Sequence, residues 1–140
     1  MYVAPKLAPR VTYMGESTEA DRVWVMLHSS QGPYLLGAWY RAPSHQRDAS
    51  LACLRAELES HGRNALGTLL IGDMNVHHAS WLSSSCTTAA GEALRDIAAD
   101  CSLKQMGKGP THSRQQIGFG PHQHADITTV AVGQRVTDHD

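Results

Sequence analysis

Apolar runs broken by short polar turns give the chain an alternating plan of strands and helices. The first clear run is Arg22 to His28 (RVWVMLH), rich in β-branched and aromatic residues. A turn at Ser29-Ser30-Gln31-Gly32-Pro33 separates it from Tyr34 to Arg41 (YLLGAWYR), which predicts an antiparallel hairpin. Both runs are apolar at successive positions, so each strand is expected to be covered on both faces. Pro43 closes the second strand, and Ser44 is a candidate N-cap for a helix reaching about Ser60. Leu51, Leu54 and Leu58 fall on one face of that helix, and Gly62 suits its end. Leu66 to Ile71 (LGTLLI) reads as a central strand, and those leucines are expected to pack on the sheet layer that contains Leu69 and Ile71.

A polar loop follows from Gly72 to about Thr88, then a second helix over roughly Ala89 to Cys101. Leu94, Ile97, Ala98 and Cys101 form its apolar stripe, and Thr87 or Thr88 is placed to cap it. Ser102 to Met106 suits a short strand, Lys108 to Gln123 a long Gly-, Pro-, His- and Gln-rich loop, and Ala125 to Val132 (ADITTVAV) a last strand. The order points to a layered α/β architecture. Residues 1–21, with Ala-Pro at Ala4-Pro5 and again at Ala8-Pro9, are expected to be an extended lead-in to a domain over residues 22–140. A chain stopping at Thr137-Asp138-His139-Asp140 reads as truncated.

Composition narrows the class. Of the 140 residues, 41% are hydrophobic and 18% charged, with a formal net charge of -1. Such a chain can bury a core, and it does not grip nucleic acid through net positive charge. A local basic groove remains compatible with that balance. No run approaches the roughly 18 apolar residues of a membrane span, and Met1 to Arg10 lacks the apolar core of a signal peptide. Cys53, Cys86 and Cys101 are odd in number and lack CxxC spacing, which suits buried or half-buried thiols in an intracellular, reducing setting.

The segment Leu69 to Trp81 (LLIGDMNVHHASW) carries the strongest chemical signal. A buried strand delivers Gly-Asp-Met-Asn at its carboxyl edge, where α/β sheets place ligand sites. Gly72 is expected to permit a tight exit from the strand. Asp73 and Asn75, two apart, share one face of an extended chain. A carboxylate beside a neutral amide can order an attacking water and a phosphate oxygen without a second negative charge. The bland reading is an ordinary Asx turn. Asp126 on the last strand and the closing Asp138-His139 add to the functional reading, because a histidine base needs a carboxylate to hold its tautomer. Asp126 can supply that partner to His139; their bland readings are a solvent-facing acid and a polar terminus.

In this order, GDMN after a buried strand, ADIT on a later strand and a closing TDH resemble the GDxN, SxIDxT and SDH motifs of the endonuclease/exonuclease/phosphatase superfamily. Tyr40-Arg41-Ala42-Pro43 is similar to the YxPP-type strand end of the same proteins. HHASW, Gly91-Glu92-Ala93-Leu94 and LKQMGKGPT from Leu103 to Thr111 are similar to non-LTR retrotransposon endonuclease domains. The resemblance spans about Val23 to His139. It implies an α/β fold in which a layered β-sandwich is flanked by helices, here incomplete. It implies a metal-dependent DNA endonuclease using magnesium or manganese, working in the nucleus and fused to, or part of a polypeptide with, a reverse transcriptase. Asp73 and Asn75 would organise the nucleophilic water and the phosphate, and Tyr40 would hydrogen-bond a phosphate oxygen. His139 would act at the attacked phosphate, oriented by Asp126, and Asp138 would join Asp73 on the metal side. Trp81 and His78 are the nucleic-acid-binding candidates.

Two departures shape the expectation of activity. The family takes a metal-binding Glu and an Asn from an N-terminal half, for which residues 1–21 offer no candidate, and its SxID stands here as His124-Ala125-Asp126-Ile127. The alternatives are a catalytically inactive remnant serving as a binding or structural module, and a small-phosphoester phosphatase of the same superfamily. HHASW after GDMN favours the retroelement type over the latter. A zinc reading of His77, His78, His112, His122 and His124 lacks any cysteine pair or HExxH to support it.

Overall fold

The computed structural model describes residues 1–17, 21–42, 49–81, 86–106 and 128–134; of residues 16, 17 and 128–134 it describes the backbone. The sheet begins earlier than the hydrophobic pattern indicates. Residues 1–21, expected as a lead-in, hold a 3-10 turn at Ala8–Arg10 and a whole edge strand, β1 (Val11–Ser17). Its period is broken by a bulge between Tyr13 and Gly15, which hides the alternation that would have marked a strand.

The two apolar runs form the expected hairpin. Strand β2 (Asp21–Ser29) pairs antiparallel with β3 (Gly32–Tyr40), in register from Asp21↔Tyr40 to Ser29↔Gly32. The Ser29 hydroxyl closes the turn, accepting from the Gln31 and Gly32 amides and donating to the Gly32 carbonyl. From β3 the chain crosses through α1 (Ala49–Gly62) to β4 (Gly67–Asp73), which lies parallel to β3. Parallel neighbours require such a crossover. The expected cap Ser44 lies outside the described residues. Helix α2 (Ala89–Asp100), β5 (Leu103–Gln105) and β6 (Thr128–Gln134) complete a sheet ordered β1-β2-β3-β4-β6-β5, with β6 antiparallel to both neighbours.

Register assigns the faces. Trp24, Met26, Leu35, Trp39 and Leu70 share one side, where they pack with Leu51, Leu54 and Leu58 of α1 and with Leu94 and Ile97 of α2. Both helices therefore cover the same face. As expected, the α1 leucines pack on the sheet layer that contains Leu69 and Ile71; within it Leu70 joins their cluster, and Ile71 is 43% exposed. An all-apolar strand fits either phase, so its sequence does not choose between them. On the other face Val25 is buried, while Leu36 and Leu69 are only half-buried. Cover on both faces was expected; among the described residues it is complete on the helix side alone, and these residues supply one sheet. Cys53 and Cys101 are half-buried and Cys86 is exposed, against the expectation of three sheltered thiols. Burial, reinforced by Glu59, pushes the Cys101 thiol up from its ordinary range.

A charged clamp ties β2 to α1. Arg22, 3% exposed at its side chain, donates through Nε and Nη2 to both Glu57 oxygens at 2.6 and 2.5 Å. Trp24 Nε1 donates to Glu57 Oε2 at 2.7 Å, and the guanidinium lies over the Trp39 ring, 5.6 Å from its centroid. The carboxylate thus answers two donors of a buried cation and an indole N–H that would otherwise carry a desolvation penalty.

Truncating Leu54 to Ala is expected to cost about 2–5 kcal/mol in urea unfolding, because the residue is fully buried between helix and sheet. A loss of a few tenths would show that α1 is a surface appendage. Glu57→Ala is expected to cost about 3 kcal/mol by the same measurement, the low end for a broken buried pair because Glu57 is itself 25% exposed. Glu57→Gln should recover part of that loss by keeping an acceptor for Trp24.

Candidate active site

Strand β4 ends in Gly72-Asp73, and the chain turns at Met74-Asn75. Gly72 is required, though not for the tight exit expected of it. A Cβ at this position would fall 1.7 Å from the Trp39 carbonyl oxygen, so glycine is what lets the β3 and β4 backbones approach. Beyond the strand, Met74 and Val76 are 1% and 2% exposed and anchor the turn in the core. Asp73 and Asn75, alternating with them, stay half-buried and reachable. The sequence spacing of apolar and polar residues thus becomes a division between anchor and site.

The turn is an Asx type, with the Asn75 amide donating to Asp73 Oδ1 at 3.0 Å. One carboxylate oxygen is spent on the turn, and Oδ2 is left for chemistry. Asn75 has a left-handed backbone, φ 45°, which is uncommon for a residue with a side chain. Its Nδ2 donates to the Arg41 carbonyl at 2.7 Å. A carbonyl only accepts, so this bond fixes which way the Asn75 amide points, with Oδ1 and the second N–H left to face a ligand. Tyr40 stands opposite Asp73 in the parallel register, on the same side of the sheet, and is 45% exposed. Three of the expected site residues, Tyr40, Asp73 and Asn75, are therefore brought to one strand edge.

The loop beyond Asn75 is stitched to α2. Thr88 caps that helix, its hydroxyl accepting from the Gly91 amide and donating to the His77 carbonyl, while its own amide also donates to His77. A Cβ on Gly91 would lie 1.8 Å from the same carbonyl, so a glycine seats the helix here. His78 accepts at Nδ1 from the Ser80 amide at 3.0 Å, which places its proton on Nε2, 3.5 Å from Glu92 Oε1. It is 5% exposed and packs on Trp81 at 5.3 Å between ring centroids. His78 thereby holds the loop in place. Trp81 is half-buried against the core and keeps part of its ring accessible.

Asp126, Asp138 and His139 lie outside the described residues, as do His112, His122 and His124. Strand β6 enters the sheet at Thr128, in register with Asp73, and runs to Gln134 beside Gly67, the end of β4 away from the site. Among the described residues no group of three or more His, Cys, Asp or Glu is placed to hold a metal ion. Sequence reasoning passed over Arg41, which is 5% exposed and donates its amide to the Asp73 carbonyl at 2.8 Å. It also passed over Glu92 as the partner of His78. Neither carries a sequence signal beyond a charged residue set beside apolar ones.

Residues 34–134 match the model of the endonuclease-reverse transcriptase family. The chain belongs to that family. Its structure is similar to the endonuclease domain of TRAS1, a telomere-specific non-LTR retrotransposon, with a TM-score of 0.63. Identity is 15%, and the match covers 89% of this chain and 67% of that one. At that identity the likeness is one of fold, and the fold is endonuclease/exonuclease/phosphatase-like α/β. No curated protein matches the sequence.

For this endonuclease-reverse transcriptase family member, Gly72→Ala tests whether the site depends on the β3–β4 approach. A loss of about 3 kcal/mol in urea unfolding is expected, since the clash is with backbone and no rotamer change relieves it. A loss below about 1 kcal/mol would show that the two strands part easily and that the site tolerates it.

Proposed function

We propose that the chain is a retroelement-type endonuclease domain that hydrolyses a DNA phosphodiester bond with the help of a divalent cation. One observation carries the reading: in a member of this family, Tyr40, Asp73 and Asn75 stand together at the carboxyl edge of two parallel strands. Asp73 Oδ2 accepts a hydrogen bond from the attacking water and orients it. The free N–H of Asn75 and the hydroxyl of Tyr40 donate to the non-bridging phosphate oxygens, where negative charge develops. Such donors act with little reorganisation because the Asx turn and the sheet register already hold them.

Magnesium or manganese would neutralise charge on the phosphate and leaving oxygens. Asp73 is the described residue suited to ligate it, and one carboxylate is less than magnesium's octahedral oxygen set asks for. The described residues alone do not make a metal site, so no step is assigned to the ion. Asp138 would be a further ligand and His139, oriented by Asp126, a further group at the phosphate. Trp81 would stack on a nucleobase through its open part. The parent polypeptide would carry a reverse transcriptase, and its work on chromosomal DNA would be nuclear. No helix among the described residues is long and apolar enough to cross a membrane.

The test is nicking of supercoiled plasmid in magnesium or manganese, with an EDTA control. Because metal ligation is thin, slow nicking is expected from the isolated chain, lost in EDTA and reduced to background by Asp73→Ala. Tyr40→Phe should slow it about tenfold, the loss of roughly one hydrogen bond to the transition state. Nicking that Asp73→Ala leaves unchanged would overturn the assignment.

A further inference from the structure

The residue after Tyr40 touches the site turn through its amide, its carbonyl and one guanidinium nitrogen. Arg41 donates its amide to the Asp73 carbonyl at 2.8 Å and accepts at its own carbonyl from Asn75 Nδ2 at 2.7 Å. Its guanidinium Nη1 donates to the Met74 and Asn75 carbonyls at 3.5 and 3.3 Å. The side chain is buried, so it lies behind the turn and meets no substrate. Burying a guanidinium is costly unless its donors are matched, and two carbonyls of the turn supply acceptors to Nη1. Asn75 in turn holds a left-handed backbone, which persists only where surrounding contacts over-determine it.

We propose that Arg41 is the positioning residue of this site: its buried guanidinium ties down the Met74 and Asn75 carbonyls and so keeps Asn75 left-handed, with its amide set beside Asp73. The main-chain bonds of Arg41 survive any substitution, so the side chain's own share can be isolated. Its consequence for turnover rests on the phosphodiesterase reading; the geometry does not. A planar guanidinium reaches the two successive carbonyls through one rigidly oriented Nη1, whereas a lysine ammonium offers a more hydrated point charge on a shorter side chain.

The experiment is NMR on the full labelled chain as wild type, Arg41→Met and Arg41→Lys. Arg41→Met is expected to keep the core resonances of Leu54 and Leu70 while the Asn75 Cα and Cβ shifts leave their left-handed values. Arg41→Lys should move them part of the way back. In the wild type, the Arg41 guanidinium protons should exchange roughly tenfold or more slower than those of exposed Arg95. Exchange as fast as Arg95 overturns the proposal even if no variant folds, as do Asn75 shifts unchanged in Arg41→Met. Where nicking is measurable, kcat should fall about tenfold in Arg41→Met with KM held within about twofold, the pattern of lost positioning. Displaced Asn75 shifts in a chain whose nicking ignores Asp73→Ala would leave Arg41 as the holder of the turn and remove the phosphodiesterase reading instead.

Discussion

The parallel pairing of β3 with β4 is the constraint from which the rest of the molecule follows. It can form only if the chain leaves one end of β3, crosses a face of the sheet and re-enters at the other end, which is the path α1 provides. The crossover is fixed by Leu51, Leu54 and Leu58 on the sheet and by Glu57, which answers both Arg22 and Trp24. The pairing also sets a steric condition at Gly72, where the Trp39 carbonyl occupies the space of a side chain. Once these hold, Tyr40 and Asp73 end their strands side by side. The placement of Tyr40 beside Asp73 is then a by-product of register.

Much of this was legible in the residues, and for identifiable reasons. The β2–β3 hairpin and β4 are unbroken apolar runs, α1 and α2 carry apolar residues at helical spacing, and Thr88 was one of two named caps for α2. Strand β1 was not legible, because a bulge shifts its phase and Tyr13 is exposed on an edge. The facing of β4 was not legible either, because LGTLLI is apolar on both sides and only tertiary contact selects Leu70 for the helices. Gly72 was correctly singled out but for the wrong cause. A motif shows that a side chain is not tolerated; it does not show which neighbour forbids it.

The site divides in the same way. Asp73, Asn75 and Tyr40 are reachable from sequence because their spacing places them at strand ends, and strand ends at the carboxyl edge of a sheet are where ligands meet α/β proteins. Arg41 and Glu92 are not, because their partners are distant in sequence or are backbone atoms. A pairing such as Arg22 with Glu57, or His78 with Glu92, depends on the crossing of elements and leaves no spacing to read. His78 is a further case, its Nδ1 accepting from the Ser80 amide and its ring packing on Trp81, contacts that the HHASW spelling does not announce.

The direction of β6 bears on how the remaining chemistry reaches Asp73. The strand enters beside Asp73 at Thr128 and leaves the sheet at Gln134, next to Gly67. The opposite end of β4 lies about 20 Å away along this seven-residue strand. Asp73, Asn75 and Tyr40 carry the proposal because the sheet itself holds them, and any base or metal ligand that joins them has to come to that edge.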